Sequence, residues 1–439
     1  MFDREKSMLH LFSSGVLSLW LHAVGIEMQS LDTVAFQAGG AGWLLPPATD
    51  GATEATLQQY LQKLSDRGLD ATSQGIWMQS PFQPIVDRQG TVPRSAASIT
   101  KVATTLGALK TWSPSHQFET TISARGTIRN GRLDGDLVIR GGGDPFFVWP
   151  EAIALGNALQ QMGIRTISGR AIVENDFAMN FESDPQVVAD RLAEAFDSQV
   201  WSETVKAEHE KMPLGTPTPQ ITIEGENVRT SGELIPLIRH RSLPLLHLLK
   251  EMNVESQNFM AETIASEVGG ASVVRAKAAA AAGVPPEEIQ LVNGSGLSPE
   301  NRISPRAACA MFAAIDRHLA TYDLNIGDVF PVAGLDVGTL EDRTMPRASV
   351  VKTGTLWNVS ALAGVLPTRD RGLVWFAILN QGGGYIEGFR EGQDALLETL
   401  QLEWGGQVPL PAAIAPRGTS KDRAKYLGAD ERNQRLFGG

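Results

Sequence analysis

Three short patterns along the chain contain residues that can carry out acyl transfer. They are Ser-x-x-Lys, Ser-x-Asn and Lys-Thr-Gly-Thr, and they contain Ser98, Lys101, Ser256, Asn258 and Lys352. Serine becomes a nucleophile when a neighbouring base removes its proton. Each pattern is short enough to occur by chance, so the chemistry depends on whether the three lie together in the folded protein.

Ser98 and Lys101 stand at helical spacing where a helix is predicted to begin. Residues three apart lie on the same helix face, so the lysine amine can reach the serine hydroxyl. The first turn of a helix has unpaired backbone N–H groups and favours developing negative charge. A free lysine, with a pKa of about 10.4, is a poor base at neutral pH. We expect burial beside Lys352 to lower the pKa of Lys101, so that it can take the Ser98 proton.

The Ser-x-Asn pattern supplies a hydroxyl and an amide between two predicted helices. Ser256 can pass a proton toward the leaving amine, which makes it a third predicted catalytic residue beside Ser98 and Lys101. Asn258 can hold both Lys101 and the substrate carbonyl, because an amide donates and accepts hydrogen bonds. Asn258 is therefore predicted to bind substrate.

The Lys-Thr-Gly-Thr run lies on a predicted edge strand. Lys352 adds positive charge and Thr353 a hydroxyl, which together suit a terminal carboxylate. An edge strand can pair with the substrate backbone, so Gly354 and Thr355 are also predicted to bind substrate. The backbone N–H groups of Ser98 and Thr355 would form an oxyanion hole, and loss of one such donor typically costs about 10²–10³ in rate.

Hydrophobic periodicity and turn signals predict the elements that must position these residues. Helices are predicted over residues 54–70, 96–109, 151–162, 243–252, 258–268, 273–282 and 385–404. Strands are predicted over residues 75–79, 118–124, 133–140, 166–173, 349–356, 360–367 and 372–380, with a hairpin turn at 87–90 and another at Asn130-Gly131.

The order of these elements suggests one sheet built from both ends of the chain, with a second unit inserted. Residues 26–111 and 236–415 are predicted to form the catalytic domain, and residues 112–235 the insertion. The polar, mixed-charge residues 416–439 are predicted to be a disordered tail.

An apolar stretch at residues 9–25 ends in Ala23 and Gly25, a small-x-small pair suited to signal peptidase. Acidic residues cancel the basic ones that precede it, so an amphipathic helix is the alternative. The interpretation favours a signal peptide over residues 1–25 and a location in the periplasm or cell envelope. No other stretch reaches the length of a membrane span, so the mature chain is expected to have none.

Composition and charge argue against several other classes of function. The 439 residues carry a net charge of −11, which disfavours nucleic acid and anionic membranes as partners. The His209-Glu210 pair lacks a second histidine at zinc-protease spacing, and no phosphate-loop motif follows the glycines at 141–143. Neither a metal nor a cofactor is therefore expected. The single cysteine, Cys309, is interpreted as a buried core residue.

The chain resembles the class C low-molecular-mass penicillin-binding proteins, the D-Ala-D-Ala carboxypeptidase/endopeptidase family. The three motifs together are the signature of penicillin-recognising serine enzymes. Further similar segments are Gly135-Asp136-Leu137, Gly143-Asp144-Pro145, Asn293 to Ser298, Pro331 to Gly334, Gly338-Thr339-Leu340 and Val359 to Gly364. The sequence departs from the family at Gln257 and Asn293, where aspartate is common.

The resemblance implies an α/β (α+β) fold of the penicillin-recognising serine transpeptidase and β-lactamase type. That fold has an antiparallel five-stranded sheet flanked by helices, here with an inserted α+β domain. The resemblance also implies a serine-type D-Ala-D-Ala carboxypeptidase, with D,D-endopeptidase activity left open. Its substrates would be peptidoglycan stem peptides, cleaved through an acyl-enzyme on Ser98 without metal or cofactor, and β-lactam antibiotics would bind the same site.

Two other functions remain as alternatives. A β-lactamase would need a dedicated deacylating water, and no Glu-centred motif for it stands after Ser256. A non-catalytic envelope protein would bind stem peptides without any covalent label on Ser98.

Overall fold

The computed structural model describes residues 48–81, 83–226, 233–418 and 426–436. In these ranges the α-helices are α1 (Gly51–Ser65), α2 (Thr100–Leu109), α3 (Trp149–Gln161), α4 (Pro185–Phe196), α5 (Glu203–Glu210), α6 (Leu245–Val254), α7 (Asn258–Val268), α8 (Ala271–Ala282), α9 (Pro305–Ala320) and α10 (Ile386–Glu403). The strands of the same ranges are β1 (Gly75–Gln79), β2 (Pro84–Arg88), β3 (Arg94–Ser95), β4 (Glu119–Arg129), β5 (Arg132–Arg140), β6 (Thr166–Ile167), β7 (Ala171–Glu174), β8 (Thr222–Ile223), β9 (Ile235–Arg241), β10 (Ile289–Gln290), β11 (Arg302–Ile303), β12 (Val350–Leu356), β13 (Val359–Thr368), β14 (Gly372–Gln381) and β15 (Asn433–Arg435). The predicted signal peptide at residues 1–25 lies outside the described residues.

A five-stranded antiparallel sheet has the strand order β12-β13-β14-β1-β2. Strands β1 and β2 precede the Ser-x-x-Lys motif in the chain, whereas β12, which carries the Lys-Thr-Gly motif, and β13 and β14 come after the Ser-x-Asn motif. Two distant parts of the chain therefore meet in one sheet. The predicted fold class, an antiparallel five-stranded sheet flanked by helices, is confirmed.

Strand β13 is buried along its whole length between β12 and β14. Alternate side chains of a strand point to opposite faces of the sheet. Ala363 and Val365 join a core that includes α2 and α9, whereas Leu362 and Leu366 join a second core with α1 and α10. Helices thus cover both faces, which explains why β13 is a continuous apolar run and does not alternate with polar residues.

Helix α2 lies in the first of these cores, and all of its residues are buried. A helix that is small or apolar on every side belongs in a protein interior. Lys101 is the charged residue of this helix. A buried amine must find hydrogen-bond partners, so the position of Lys101 already implies a polar site at the start of α2.

A second sheet has the order β15-β9-β4-β5-β6-β8, with β7 also paired to β5. All of its strands lie between α2 and α6 in the chain except β15, which comes from the C-terminal segment. Strands β4 and β5 form a hairpin closed by Asn130 and Gly131, whose φ angles are 50° and 81°. These positive φ values are what an Asn-Gly hairpin turn requires, so this predicted turn is confirmed. The sheet and helices α3 and α4 enclose a separate core around Ile122, Leu155 and Phe196.

The prediction of a disordered tail over residues 416–439 is wrong for residues 426–436. Strand β15 pairs antiparallel with β9 at the edge of the second sheet. The Arg432 guanidinium also pairs with the buried carboxylate of Glu151 on α3. Polar, mixed composition suggested disorder, but one strand edge and one buried acid provide partners that composition cannot reveal.

The insertion ends later than the sequence suggested. Strand β9 continues to Arg241 as part of the second sheet, so the boundary at residue 235 is too early. The division of the chain into a catalytic domain and an inserted domain otherwise stays a prediction.

The predicted turn at residues 87–90 does not close the first hairpin. Strands β1 and β2 connect between Gln79 and Pro84, and Asp87 pairs with Trp77 inside that hairpin. The turn-forming residues therefore end the second strand of the hairpin. A turn signal marks the end of a strand but does not say which strand ends there.

Candidate active site

The turn that carries Ser98 is a single 3₁₀ turn, Ala97–Ile99, which leads into α2. Ala97 has a φ of 45°, in the left-handed region that non-glycine residues rarely adopt. Two neighbouring segments lie against this turn. A Cβ added at Gly354 would lie 3.0 Å from the Ser98 backbone nitrogen, and one added at Gly296 would lie 1.8 Å from the Ala97 carbonyl oxygen. Both contacts require glycine, so the Lys-Thr-Gly strand and the Gly-Ser-Gly loop approach the Ser98 backbone directly.

Lys101 lies fully buried beneath Ser98 and donates to three oxygens. Its Nζ is 2.9 Å from Ser98 Oγ, 2.8 Å from Asn258 Oδ1 and 2.8 Å from the Ser295 carbonyl oxygen. Burial lowers the pKa of Lys101 to about 7, against a smaller opposing effect of the Glu262 carboxylate. At neutral pH a substantial fraction of this amine is therefore unprotonated, which is the form that can accept a proton.

Lys352 on β12 is the second buried amine. Its Nζ donates to Ser256 Oγ at 3.0 Å and to the Thr353 carbonyl oxygen at 2.9 Å. Burial, and secondly repulsion from Lys101, hold the pKa of Lys352 well below its usual range. The predicted residues thus form two hydrogen-bonded groups. One contains Ser98, Lys101 and Asn258, and the other contains Ser256 and Lys352.

The segment that carries Ser256 and Asn258 joins α6 to α7. Ser256 has a φ of 54°, and Asn258 is the first residue of α7. The side chain of Gln257 caps α7 by accepting from the Phe259 N–H. The residue at the centre of Ser-x-Asn therefore serves the helix end, while the residues on either side of it contact the lysines.

The remaining predicted residues lie on β12, an edge strand of the five-stranded sheet. Thr353 and Gly354 are buried, whereas Thr355 is exposed. The Thr355 hydroxyl accepts from Arg390 on α10 at 3.1 Å. Ser98, Ser256 and Asn258 are each partly accessible, whereas both lysines that they contact lie buried.

Sequence reasoning missed Glu262. Its carboxylate accepts from the backbone N–H groups of Gly294 and Ser295, each at 3.0 Å, and so holds the loop whose carbonyl binds Lys101. Glu262 lies four residues after Asn258 on α7. Residues four apart share a helix face, so this spacing was a signal that could have identified it.

Within the described residues, no group of three or more His, Cys, Asp or Glu side chains could hold a metal ion. None of the helices in those ranges combines the length and apolar character that a membrane span requires. Cys309 is fully buried on α9, as predicted for a core residue.

The fold and the site together define a penicillin-recognising serine enzyme. The serine and its lysine begin a buried helix beside the antiparallel sheet, and the Lys-Thr-Gly motif lies on the edge strand of that sheet next to the serine backbone. The model of the D-Ala-D-Ala carboxypeptidase 3 (S13) family matches residues 55–216 and 214–401. The chain belongs to this family, and it is a D-Ala-D-Ala carboxypeptidase of the serine type.

Two curated relatives are named as carboxypeptidases. D-alanyl-D-alanine carboxypeptidase DacB of Haemophilus influenzae is 24% identical over 73% of this chain and 87% of its own length. Carboxypeptidase DacB of Mycolicibacterium smegmatis is 27% identical over 67% of this chain and 72% of its own length. The predicted family and enzyme class are confirmed.

Solved structures share the fold. Bd3459, described as a predatory peptidoglycan endopeptidase from Bdellovibrio bacteriovorus, has a TM-score of 0.64 at 19% identity and covers 82% of this chain and 98% of its own. Penicillin binding protein 4 of Haemophilus influenzae has a TM-score of 0.56 at 20% identity and covers 79% of this chain and 99% of its own.

Proposed function

We propose that this carboxypeptidase cleaves the terminal D-alanine from peptidoglycan stem peptides through an acyl-enzyme on Ser98. One observation carries the proposal. The Lys101 amine lies 2.9 Å from Ser98 Oγ in a buried site that lowers the pKa of the amine to about 7. A nucleophile and a base matched to neutral pH are thereby held in contact before any substrate arrives.

Acylation begins with neutral Lys101. The Ser98 hydroxyl donates to the amine and transfers its proton as Oγ attacks the carbonyl of the penultimate D-alanine. The Asn258 and Ser295 oxygens accept from the resulting ammonium, at the distances they already have. These two acceptors stabilise the charge that the lysine gains, so the buried site does not oppose the transfer.

The oxyanion that forms is bound by the backbone N–H groups of Ser98 and Thr355. Gly354 lies against the Ser98 backbone nitrogen. This contact supports the role, because Thr355 follows Gly354 directly and its backbone is thereby brought close to that of Ser98. Ser256 Oγ passes a proton to the leaving D-alanine amine and is resupplied by Lys352, with which it is hydrogen-bonded. Water then adds to the ester carbonyl, one of its protons returns to Ser98 Oγ as the acyl group leaves, and the acid and free Ser98 are formed. Lys101 gives up the proton it gained and Lys352 recovers the one it lost by exchange with solvent, which restores the starting state.

The substrate lies along β12. Beyond an isolated bridge between Val350 and Val332, the outer edge of β12 has no further strand in the described part of the chain, so an extended peptide can pair with it. Thr353 and Lys352 lie where a terminal carboxylate would meet the strand. The same site would be acylated by β-lactam antibiotics, and the same chemistry would cleave a D-alanyl cross-link as an endopeptidase. An enzyme that acts on stem peptides and D-alanyl cross-links would work in the cell envelope, in the periplasm where an outer membrane exists.

Labelling with a fluorescent penicillin tests the nucleophile. We expect a stable covalent label on the wild-type protein and none on Ser98→Ala, and we expect only the wild type to release D-alanine from a D-Ala-D-Ala pentapeptide. Ser115→Ala, an exposed serine beyond α2, is the matched control and should behave as wild type. Labelling of Ser98→Ala would refute the assignment. Release of the label within seconds would instead identify a β-lactamase.

Lys101→Arg tests the base. A guanidinium stays protonated at every accessible pH and cannot take the serine proton. We expect acylation to fall by about 10²–10⁴, the range that general-base catalysis contributes. Unchanged acylation across pH 5–9 in a variant that melts like wild type would exclude Lys101 as the base.

A further inference from the structure

The position of Ser256 relative to Lys352 depends on a segment that has no role in the mechanism above. Ser256 lies between α6 and α7, whereas Lys352 stands on β12, 96 positions further along the chain. A proton passes between two such groups only within hydrogen-bond reach, about 2.6–3.2 Å. The spacing of α6 and β12 therefore decides whether the relay works. Residues 331–338 contact both of these elements.

The first residues of this segment are joined to β12 through the backbone. The Val351 N–H donates to the Pro331 carbonyl oxygen at 3.0 Å, and Val332 forms an isolated bridge with Val350. Lys352 follows Val351 directly. The start of the segment is thus fixed to the strand that carries Lys352, beside that residue.

The end of the segment lies against the last turn of α6. A Cβ added at Gly338 would lie 2.4 Å from the Val254 carbonyl oxygen, and the φ of Gly338 is 51°. Both the close approach and the positive φ require glycine. Val254 is the last residue of α6 and stands two positions before Ser256. The segment therefore meets the helix where the Ser256 turn begins.

A buried ion pair connects these two contacts. Lys250 on α6 donates from its Nζ to the Asp336 carboxylate at 2.7 Å and to the carbonyl oxygens of Gly327, at 2.9 Å, and Phe330. The same Asp336 oxygen accepts from the Val332 N–H at 3.0 Å. Only 3% of the Lys250 side chain and 5% of the Asp336 side chain are exposed. Asp336 thus links α6 to Val332, the residue that is bridged to β12.

Stability alone does not account for such a pair. Taking two charges out of water offsets most of their attraction, and an apolar pair of similar volume is often as stable. The ion pair differs from an apolar pair in its geometry. An ammonium has three N–H donors, and here three acceptors from separate residues receive hydrogen bonds from it. These directed contacts fix where α6 lies against residues 327–336, whereas apolar side chains would allow the helix to shift.

We propose that Asp336 and Lys250 are positioning residues for the proton relay through Ser256. They hold α6 against β12, so that Ser256 Oγ stays within reach of Lys352 Nζ and of the leaving nitrogen. In the relay, Ser256 Oγ gives its proton to that nitrogen and takes one from Lys352. The C–N bond breaks, and its electron pair stays on the nitrogen. The proposal rests on the relay in the proposed function and adds the residues that keep its members in place.

Two substrates distinguish a misplaced relay from a general loss of structure. One is an acyl-D-Ala-D-Ala peptide, whose leaving amine must be protonated. The other is the thioester with sulfur in place of that nitrogen. A thiol has a pKa of about 8.5, so it can leave as a thiolate without receiving a proton. The ratio of kcat/KM for the amide to that for the thioester is measured in wild type, Ser256→Ala, Asp336→Asn and a double variant. The double variant, Lys250→Met with Asp336→Leu, leaves neither charge buried without its partner.

We expect Ser256→Ala to lower kcat/KM for the amide by about 10²–10⁴, the range of general-acid catalysis, and for the thioester by much less. Asp336→Asn and the double variant should lower the amide-to-thioester ratio about tenfold to a hundredfold, a loss that a displacement of about 1 Å can cause. Asp336→Asn should lower the ratio no further once Ser256 is alanine, because both changes act on one step. The control is Arg306→Met, which breaks a largely buried ion pair with Glu288 on other elements and should keep the wild-type ratio.

The two ways in which the experiment can fail have different meanings. If Ser256→Ala lowers the ratio but Asp336→Asn and the double variant lower kcat/KM equally for both substrates, or not at all, the positioning role is overturned and the relay stands. A wild-type ratio in Ser256→Ala would instead overturn the relay of the proposed function, and the positioning role with it.

Discussion

Replacing Glu262 by glutamine perturbs the base of the site without touching the nucleophile. The carboxylate accepts from the Gly294 and Ser295 N–H groups and thereby holds the Ser295 carbonyl against Lys101. It also favours the charged form of that lysine, opposing the effect of burial. Glutamine is nearly isosteric, so the change removes one negative charge and one acceptor oxygen.

Two effects of different sign follow. Neutral Lys101 is the active base, so acylation increases as pH rises through a pKa of about 7. Without the Glu262 charge the ammonium form loses stabilisation, its pKa falls further, and the acid limb of the profile moves to lower pH. The maximal rate falls as well, because one backbone N–H loses its partner at a cost of about 1–3 kcal/mol. If the lost hydrogen bond displaces the Ser295 carbonyl from Lys101, the maximal acylation rate falls about fivefold to a hundredfold.

The assay is the second-order rate of acylation by a chromogenic penicillin between pH 5 and 9. This quantity reports ionisations of the free enzyme, so its acid limb follows Lys101 directly. Glu267→Gln is the control, because it removes the same charge from an exposed position on the same helix. We expect its acid limb to coincide with that of wild type. An unmoved limb in Glu262→Gln, or one displaced to higher pH, would refute the coupling between Glu262 and Lys101.

Two further substitutions test how the site and the tail are held. Gly296→Ala places a Cβ 1.8 Å from the Ala97 carbonyl oxygen at a φ of 86°, so the Ser98 turn must shift, and we expect penicillin acylation to fall roughly tenfold to a hundredfold. Arg432→Met leaves the carboxylate of Glu151 buried without its cation, and we expect thermal unfolding to show a loss of about 3–5 kcal/mol.

Each of these substitutions has a control. Gly283 has a similar φ of 66°, but a Cβ added there has nothing within 4 Å. Gly283→Ala therefore measures the backbone strain without the clash. Arg435→Met removes an exposed arginine from the same terminal segment and should change stability by less than about 0.5 kcal/mol. Equal acylation of the two alanine variants, or equal melting of the two methionine variants, would contradict the expectations.

Local sequence patterns predicted the elements best where their signals are self-contained. Strands β12 to β14 were recognised from apolar runs separated by short turns, and the Asn130-Gly131 hairpin from its turn residues. Both signals depend on neighbouring residues alone. The turn at 87–90 was misassigned because two strands precede it in quick succession, and the ordered part of the tail was missed because β15 gains its stability from pairing with β9.

The residues of the candidate site also differ in whether a local sequence pattern identifies them. The three motifs supplied the residues around Ser98, which the structure brings together, and their types suggested the chemistry. Glu262 could have been found from helical spacing, but its loop partners lie about thirty positions further along the chain. The hydrogen bond from Arg390 to Thr355 could not have been found, since the two residues stand 35 positions apart on different elements and no motif includes Arg390.

The amino-acid sequence by itself determined which functional groups this protein has. It also determined their spacing within a single helix or strand, because that spacing depends on neighbouring residues alone. Only the tertiary structure decided that Lys101 and Lys352 are both buried and that their pKa values are lowered. The physical reason is that water is excluded from an amine by segments remote in the chain. A lysine becomes a base at neutral pH only when those segments close around it.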